Sequence, residues 1–290
     1  MPGPSANPTL AALIKLLDEP DESAFGLVRG QILLYGQEAI AHLENVLDNN
    51  FNELIRERCT SMIQDLSRNE NYQSFCKWLQ NDPSDLLKGY ILVSKTRYPD
   101  LDEEQIIIQI EQMKMDIWLE LNEELTALEI VKVLNHLIFD VHRFEPPNSG
   151  DAYAPRNTYI NTLLEFKKGS PLSLGILYII LAQKLGIPIY GVNLPVNFLL
   201  AYLTGSGLKN PGEKDVLFYI NPFQKGSLLT RTTIEQFIRQ LKLRPDDSYY
   251  SPSNNREIIR QLINNLIYYY NDNREHDKAS DLDTLLNAYE

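Results

Sequence analysis

The stretch "KGSPLSLGILYIILAQKLGIPIYGVNLPVNFLLAY", Lys168 to Tyr202, decides the fold, because it has the pattern of one capped helix followed by two apolar strands. Ser170 and Pro171 form an N-cap and first-turn pair, and Gly186 suits the left-handed residue that ends a helix. The helix should be central and mostly buried. Its broad apolar face comprises Leu174, Leu177, Tyr178, Leu181 and Leu185.

Strands are predicted on both sides of a glycine-containing turn. "IPIYGV" and "FLLAYL" are rich in apolar and aromatic residues, and "TGSGLKNPGEKD" turns the chain into a third strand, "VLFYIN". The rest of the chain is dominated by helical spacing of apolar residues. We therefore expect an α+β fold that is mainly α and carries a small antiparallel sheet.

Composition and charge exclude several classes of partner. The 290 residues are 43% hydrophobic, with a formal charge of −12 and a pI near 4.9. Such a balance disfavours nucleic acid and anionic lipid, which require clustered Lys and Arg. The N-terminus has no basic leader, and no window approaches ~18 uninterrupted apolar residues. We expect a cytoplasmic protein whose two cysteines, Cys59 and Cys76, are reduced.

Three regions are expected from the periodicity. Residues 1–82 form a helical region that opens with an Asn7-Pro8 cap and resembles paired HEAT-type helices. Residues 83–246 hold the central helix, the strands and several leading helices. Residues 247–290 resemble a tetratricopeptide-type helical hairpin. The middle region's helices are expected over Leu86–Thr96, Glu103–Leu121, Leu125–His142 and from Asn157 to about Lys167, with a loop at residues 143–157 and a capping box from Thr232 to Glu235.

The middle region also carries a family resemblance. "DAYAPRNTYINTLLEFKKGSPLSLGILYIILAQKLGIPIYGVNLPVNFLLAY", followed by "LFYINPF", resembles the transglutaminase-like core of SirB-type bacterial proteins over roughly Leu134 to Leu241. The resemblance implies a papain-like fold, in which a cysteine at a helix N-terminus is paired with a histidine and an aspartate on adjacent strands. A helix N-terminus carries about half a positive charge and lowers a thiol's pKa, while the imidazole removes the proton.

All three positions that the resemblance assigns to catalysis hold other residues. The cysteine position falls on Pro171, the histidine on Asn197 in "PVNF", and the aspartate on Asn221 in "INPF". Proline has no nucleophile, and asparagine can neither accept a proton near neutral pH nor orient an imidazole by charge. Cysteine catalysis is therefore not expected at this site.

Several other residues are candidates for a functional role, and each also has a structural alternative. Ser173 is the nearest hydroxyl and is either a rescue nucleophile or a first-turn hydrogen-bonding residue. Arg156 and Asn157 in "PRN" either bind a carboxylate or tie the loop to the core. The tyrosines of "NNLIYYYNDN", Asn264 to Asn273, either pack the hairpin or belong to a protein contact surface. No residue spacing suits a metal or another cofactor, so none is expected.

Three functions follow as hypotheses. The leading one is a catalytically inactive transglutaminase-like protein that binds a protein partner or acts as a scaffold. The second is a hydrolase or acyl transferase that uses Ser173, Asn197, Asn221 or Arg156 in the same cleft. The third is a small-molecule binder in which Asn193, Asn197 and Asn221 offer neutral hydrogen-bond partners.

Overall fold

The computed structural model describes residues 7–148, 152–194, 197–205, 212–244 and 246–290, and the chain divides into two compact units, Met1–Lys77 and Trp78–Glu290. In the described residues the helices are α1 Pro8–Ile14, α2 Glu22–Leu33, α3 Gln37–Asn49, α4 Glu53–Asn81, α5 Leu86–Lys95, α6 Glu103–Glu120, α7 Ala127–Asn135, α8 Ile160–Phe166, α9 Pro171–Lys184, α10 Arg231–Gln240, α11 Asn255–Asp272 and α12 His276–Leu286. None of these has the combination of length and apolar character that a bilayer crossing requires.

The first unit is a helical assembly of α1, α2, α3 and most of α4. The Asn7 cap is confirmed, because its side-chain oxygen accepts a hydrogen bond from the Thr9 amide. The unit has its own apolar core: Leu10, Leu17, Phe25, Ile32, Ala39, Leu43, Cys59, Met62 and Leu66. The expected division at residue 82 and the HEAT-type character of these helices stay predictions.

Arg58 is a buried cation inside this first unit. Its guanidinium donates to the carbonyls of Leu17 and Glu19 at 2.9 and 2.8 Å and pairs with the Glu22 carboxylate at 2.5 Å. It also lies 3.7 Å above the ring centre of Phe25. One planar group therefore satisfies the carbonyls of the turn between α1 and α2 and fixes that turn against α4.

The second unit contains one antiparallel sheet in the order β1-β2-β3-β4. The strands are β1 Ile189–Leu194, β2 Asn197–Leu203, β3 Val216–Asn221 and β4 Ser227–Leu229. The first three were expected; β4, only three residues long, was not. A mainly helical chain with a small antiparallel sheet confirms the predicted fold class.

Helix α9 packs on β1 and β2 with almost its whole length buried. The Ser170 cap is confirmed, because its side chain accepts a hydrogen bond from the Ser173 amide, and Gly186 takes the left-handed conformation with φ of +71°. Gly175 allows close approach of the sheet, since a Cβ there would lie 2.4 Å from the Phe198 ring. The N-terminus of α9 is thereby held next to the β1–β2 end of the sheet.

Several local expectations are corrected. Thr232 does not begin a helix: α10 is capped by Thr230, whose hydroxyl accepts from the Thr233 amide. The pattern over Leu125–His142 is α7 followed by a π-helical turn, His136–Val141. The helix expected from Asn157 to about Lys167 is α8, which begins only at Ile160, after a 3₁₀ turn at Pro155–Asn157. Part of each long loop lies outside the described residues. These parts are residues 149–151 of the loop at 143–157, which include Gly150, and residues 206–211 of the loop at 204–215.

Candidate functional site

The N-terminus of α9 is built around the carbonyl oxygen of Asn157. Ser173 Oγ donates to this oxygen at 2.7 Å, and the Ser170 amide donates to it at 2.8 Å. Ser173 is fully buried, Ser170 and Asn157 nearly so, and no histidine is among the hydrogen-bond partners of Ser173. The geometry gives Ser173 the hydrogen-bonding role, and the nucleophile alternative stays an untested prediction.

Pro171 is the first residue of α9, where its missing N–H costs the helix nothing. Pro171 and the neighbouring Leu172 are buried residues that line a groove. The position that the sequence resemblance assigns to a thiol thus holds an apolar side chain at the positive end of a helix.

Asn193 and Asn197 lie at the adjoining ends of β1 and β2, where Leu194 pairs with Asn197. Asn197 Oδ1 accepts from the backbone amide of Phe198 at 2.9 Å, and Asn193 Oδ1 accepts from Gln261 Nε2 at 2.8 Å. Both residues line the same groove as Pro171. Three residues that the sequence singled out therefore lie together along this groove.

Asn221 ends β3 and plays a different local role. Its side chain, 5% exposed, accepts from the Phe223 amide at 3.1 Å and so caps the short 3₁₀ turn Pro222–Gln224. The turn is fixed from outside, because Asn135 Nδ2 donates to the Gly226 carbonyl at 2.9 Å and Asn135 Oδ1 accepts from the Tyr178 hydroxyl at 3.0 Å. Asn221 is not among the described residues that line the groove.

Arg156 and Asn157 are not among the described residues of the groove either. Arg156 is exposed in the 3₁₀ turn, whereas Asn157 is 4% exposed and its carbonyl serves Ser170 and Ser173. Asn157 therefore anchors the loop to α9. This is the structural one of the two roles that the sequence left open for the "PRN" segment.

The groove has a volume of about 480 Å³ and lies between the start of α9, the β1–β2 end and one face of α11. Helix α11 contributes Gln261, Asn265, Tyr268 and Asp272, which are spaced by four, three and four residues and so share one face. Tyr153 and Tyr269 complete its aromatic lining, and Phe198 and Leu194 provide apolar surface.

The α11 face is the part of the site that the sequence did not reveal. The sequence leaves two roles open for the tyrosine run, packing of the helical hairpin or a protein contact surface. Tyr270 packs inside, 3.0 Å from the Tyr159 hydroxyl, whereas Tyr268 is 76% exposed at the groove. The spacing of Gln261, Asn265 and Asp272 marked a polar stripe, but only the tertiary packing shows that it opposes α9.

The described lining of the groove has a definite chemical character. It combines four side-chain amides with tyrosine rings and one carboxylate, Asp272, and it contains no cysteine and no histidine. Amides both donate and accept hydrogen bonds, as a peptide backbone requires. Elsewhere in the described part of the chain, no cluster of three metal-ligating side chains is present.

One histidine, His142, has a shifted pKa; it follows the π-helical turn and is not among the described groove residues. Its Nε2 lies 3.0 Å from a carboxylate oxygen of Asp116 on α6. Burial lowers the pKa of His142, and Lys167 acts in the same direction, while Asp116 opposes both. His142 therefore belongs to the packing between helices.

Comparison with known proteins identifies several relatives that match part of this chain. The UPF0162 protein of Xylella fastidiosa (strain 9a5c) is 27% identical over 206 residues, 67% of this chain and 68% of that protein. The UPF0162 protein of Vibrio cholerae serotype O1 is 29% identical over 160 residues, 54% of each chain. F-box only protein 21 of Homo sapiens is 29% identical over 139 residues, 48% of this chain but 21% of that protein. This chain thus matches about a fifth of the F-box protein's length, and no solved structure matches.

A match to a protein-family model defines the family of this chain. The model described as the transglutaminase-like superfamily matches residues 104–264, more than half of the chain. This span includes the segment in which the sequence resemblance was noted and extends beyond it at both ends. It also includes α9, the four strands and the Gln261 end of the α11 stripe. The chain therefore belongs to the transglutaminase-like superfamily.

Proposed function

We propose that this chain is a SirB-type, catalytically inactive member of its superfamily that binds an extended segment of a partner protein in the α9–α11 groove. The observation that carries the proposal is the chemistry of the groove at the start of α9. Proline occupies the first helical position, asparagine occupies the position that the family resemblance assigns to a histidine, and amides and tyrosines line the space beside them. The free thiols Cys59 and Cys76 agree with a reducing compartment such as the cytoplasm.

The dimensions of the groove suit a peptide. From Gln261 to Asp272 the helix rises about 16 Å, which an extended chain spans with about five residues. The side chain of Asn265 makes no hydrogen bond to any described residue, so its amide group can pair with a ligand's backbone. Tyr268 adds a large, exposed contact surface, and tyrosine is enriched at protein interfaces.

A peptide library tests the binding function. The immobilised protein is incubated with acetylated, amidated hexapeptides of random sequence, and the retained peptides are quantified. Asn265→Trp fills the groove and should reduce retention at least about tenfold, because one indole occupies much of the space that the peptide needs. The matched control is Asn264→Trp, since Asn264 is an exposed neighbour on α11 outside the groove lining.

Two results would contradict this function. Equal retention by Asn265→Trp and Asn264→Trp would place any peptide binding elsewhere, and no retention by the unaltered protein would remove the peptide as ligand. A fluorophosphonate probe tests the enzymatic alternative. We expect Ser173 to stay unmodified in intact-mass measurements, because its hydroxyl is buried and donates to Asn157; labelling that disappears in Ser173→Ala would establish the hydrolase instead.

A further inference from the structure

The Asp272 end of the groove differs in character from the amide end. Gln261 and Asn265 lie beside Asn193 and Asn197, whereas the other end presents Tyr268 and then Asp272. Residues 268 and 272 are one turn apart on the same face of α11, so the ring and the carboxylate are neighbours. The groove therefore has a neutral part and an anionic, aromatic end.

The carboxylate of Asp272 has no partner within the described chain. The residue is exposed, and no hydrogen bond or ion pair connects its side chain to another described residue. Tyr268 is likewise unengaged by any described cation, in contrast to Tyr270, Tyr250 and Tyr289, each of which lies under a Lys or Arg. The ring and the carboxylate are both available to a ligand.

We propose that the groove selects an extended peptide with a lysine or arginine side chain at the position that meets Tyr268 and Asp272. This inference rests on the proposed function and adds the chemistry of the ligand. A cation is attracted by the face of a tyrosine ring and by a carboxylate, and the two act together when they are one helical turn apart. The amides of Asn193, Asn197, Gln261 and Asn265 then hold the flanking backbone, which carries no charge.

The charge of the whole chain favours the same ligand. With a formal charge of −12, the protein attracts basic segments at long range and repels acidic ones. Long-range attraction alone would not choose one position along a peptide, whereas a cation site at one end of a groove would. Position along the peptide is therefore the feature that an experiment must measure.

The test is a positional scan of the acetylated hexapeptide library, with Lys, Arg, Glu or norleucine fixed at each position in turn. We expect Lys and Arg to be enriched over norleucine at one position, and Glu to be depleted there. In Asp272→Asn the enrichment should fall about three- to fivefold, as expected for a partly solvated ion pair. In 0.5 M NaCl it should also weaken in the unaltered protein.

Matched variants distinguish a cation site in the groove from a general effect of the protein's negative charge. Asp283→Asn removes the same charge from an exposed position on α12 and should leave the enrichment unchanged. Tyr268→Phe keeps the ring and should retain the enrichment, whereas Tyr268→Leu should lower it about two- to threefold. Peptides with a free N-terminus, run in parallel, show whether an α-ammonium group can replace the basic side chain.

The outcomes distinguish this inference from the proposed function. If peptides are retained but no position prefers a basic residue, or if Asp283→Asn changes the preference as much as Asp272→Asn, the cation site is refuted and peptide binding stands. If the free N-terminus alone carries the preference, the ligand is a chain terminus and not a basic side chain. If the unaltered protein retains no peptide, both proposals fall.

Discussion

Gly226 shows how a single residue controls the geometry at the end of β3. It takes a φ of +71° two residues after the Pro222–Gln224 turn, and a Cβ there would lie 1.9 Å from Asn135 Oδ1. Asn135 cannot move freely, since it donates to the Gly226 carbonyl and accepts from the buried Tyr178 hydroxyl. The glycine is therefore required both for its conformation and for the close approach of Asn135.

Gly226→Ala should lower the free energy of unfolding by about 3 kcal/mol, because the left-handed backbone and the displacement of Asn135 both cost stability. The control is Gly186→Ala, which has the same φ of +71° but no atom within 4 Å of the added Cβ. That change should cost about 1 kcal/mol from the backbone alone. Urea unfolding curves measure both, and equal losses in the two variants would show that contact with Asn135 is unimportant.

Residue-level features that depend on neighbouring sequence could be predicted. The Asn7 and Ser170 caps and the left-handed Gly186 follow from local chemistry, and the structure contains all three. Thr232 was chosen wrongly because Thr230 offers the same hydroxyl two residues earlier, and only the end of β4 decides between them. The role of Asn221 as a turn cap, rather than a groove residue, depends on contacts with Asn135 and Gly226 that lie far apart in sequence.

At the scale of helices and strands, features set by local sequence could also be predicted, whereas features set by long-range packing could not. Apolar periodicity located α9, α11 and the three longer strands, because each buries a full face. It could not show the π-helical turn His136–Val141, since Leu134, Ile138 and Val141 have the spacing of a continuous α-helix. It also could not show that α11 forms one wall of the groove, because the partner of a helix face is set by packing and not by the helix's own sequence.

The π-helical turn leads to a testable effect of pH through His142, which follows it directly. The side chain is 18% exposed and faces Asp116 on α6 and Lys167 at the end of α8. Burial lowers the pKa of His142 in the folded protein, so below its ordinary pKa of about 6.5 the unfolded chain binds more protons than the folded one. The contribution of this residue to stability is therefore present above that pH and is lost as the pH falls toward the lowered value.

We expect the unfolding free energy of the unaltered protein to fall more steeply between pH 7 and pH 5 than that of His142→Gln. Denaturant titrations at several pH values measure the two slopes. His276→Gln, at an exposed position on α12, is the matched control and should follow the unaltered protein. A His142→Gln profile parallel to that of the unaltered protein would contradict the argument.

At the scale of the whole molecule, the chain contains two units with separate apolar cores. The core of the first unit runs from Leu10 to Leu66, and a core around the sheet in the second runs from Val192 to Tyr250. Every described residue of the groove belongs to the second unit. The sequence predicted a helical N-terminal region that ends at residue 82, but the boundary between Lys77 and Trp78 could not be predicted, because helix α4 continues through it.

Separate cores imply that damage to the first unit should be local, and Arg58 is the residue that tests this. Arg58→Leu leaves the carbonyls of Leu17 and Glu19 without their donor and should destabilise the first unit by about 2–4 kcal/mol. Arg29→Leu is the matched control, since Arg29 is 41% exposed and its pair with Asp65 should contribute less than about 1 kcal/mol. Hydrogen exchange should accelerate in peptides from residues 7–77 of Arg58→Leu and stay unchanged in residues 160–194, with retention of the hexapeptide library unaltered. Faster exchange in α9 or a loss of peptide retention would instead mean that the groove depends on the N-terminal helices, so that the two units fold and function as one.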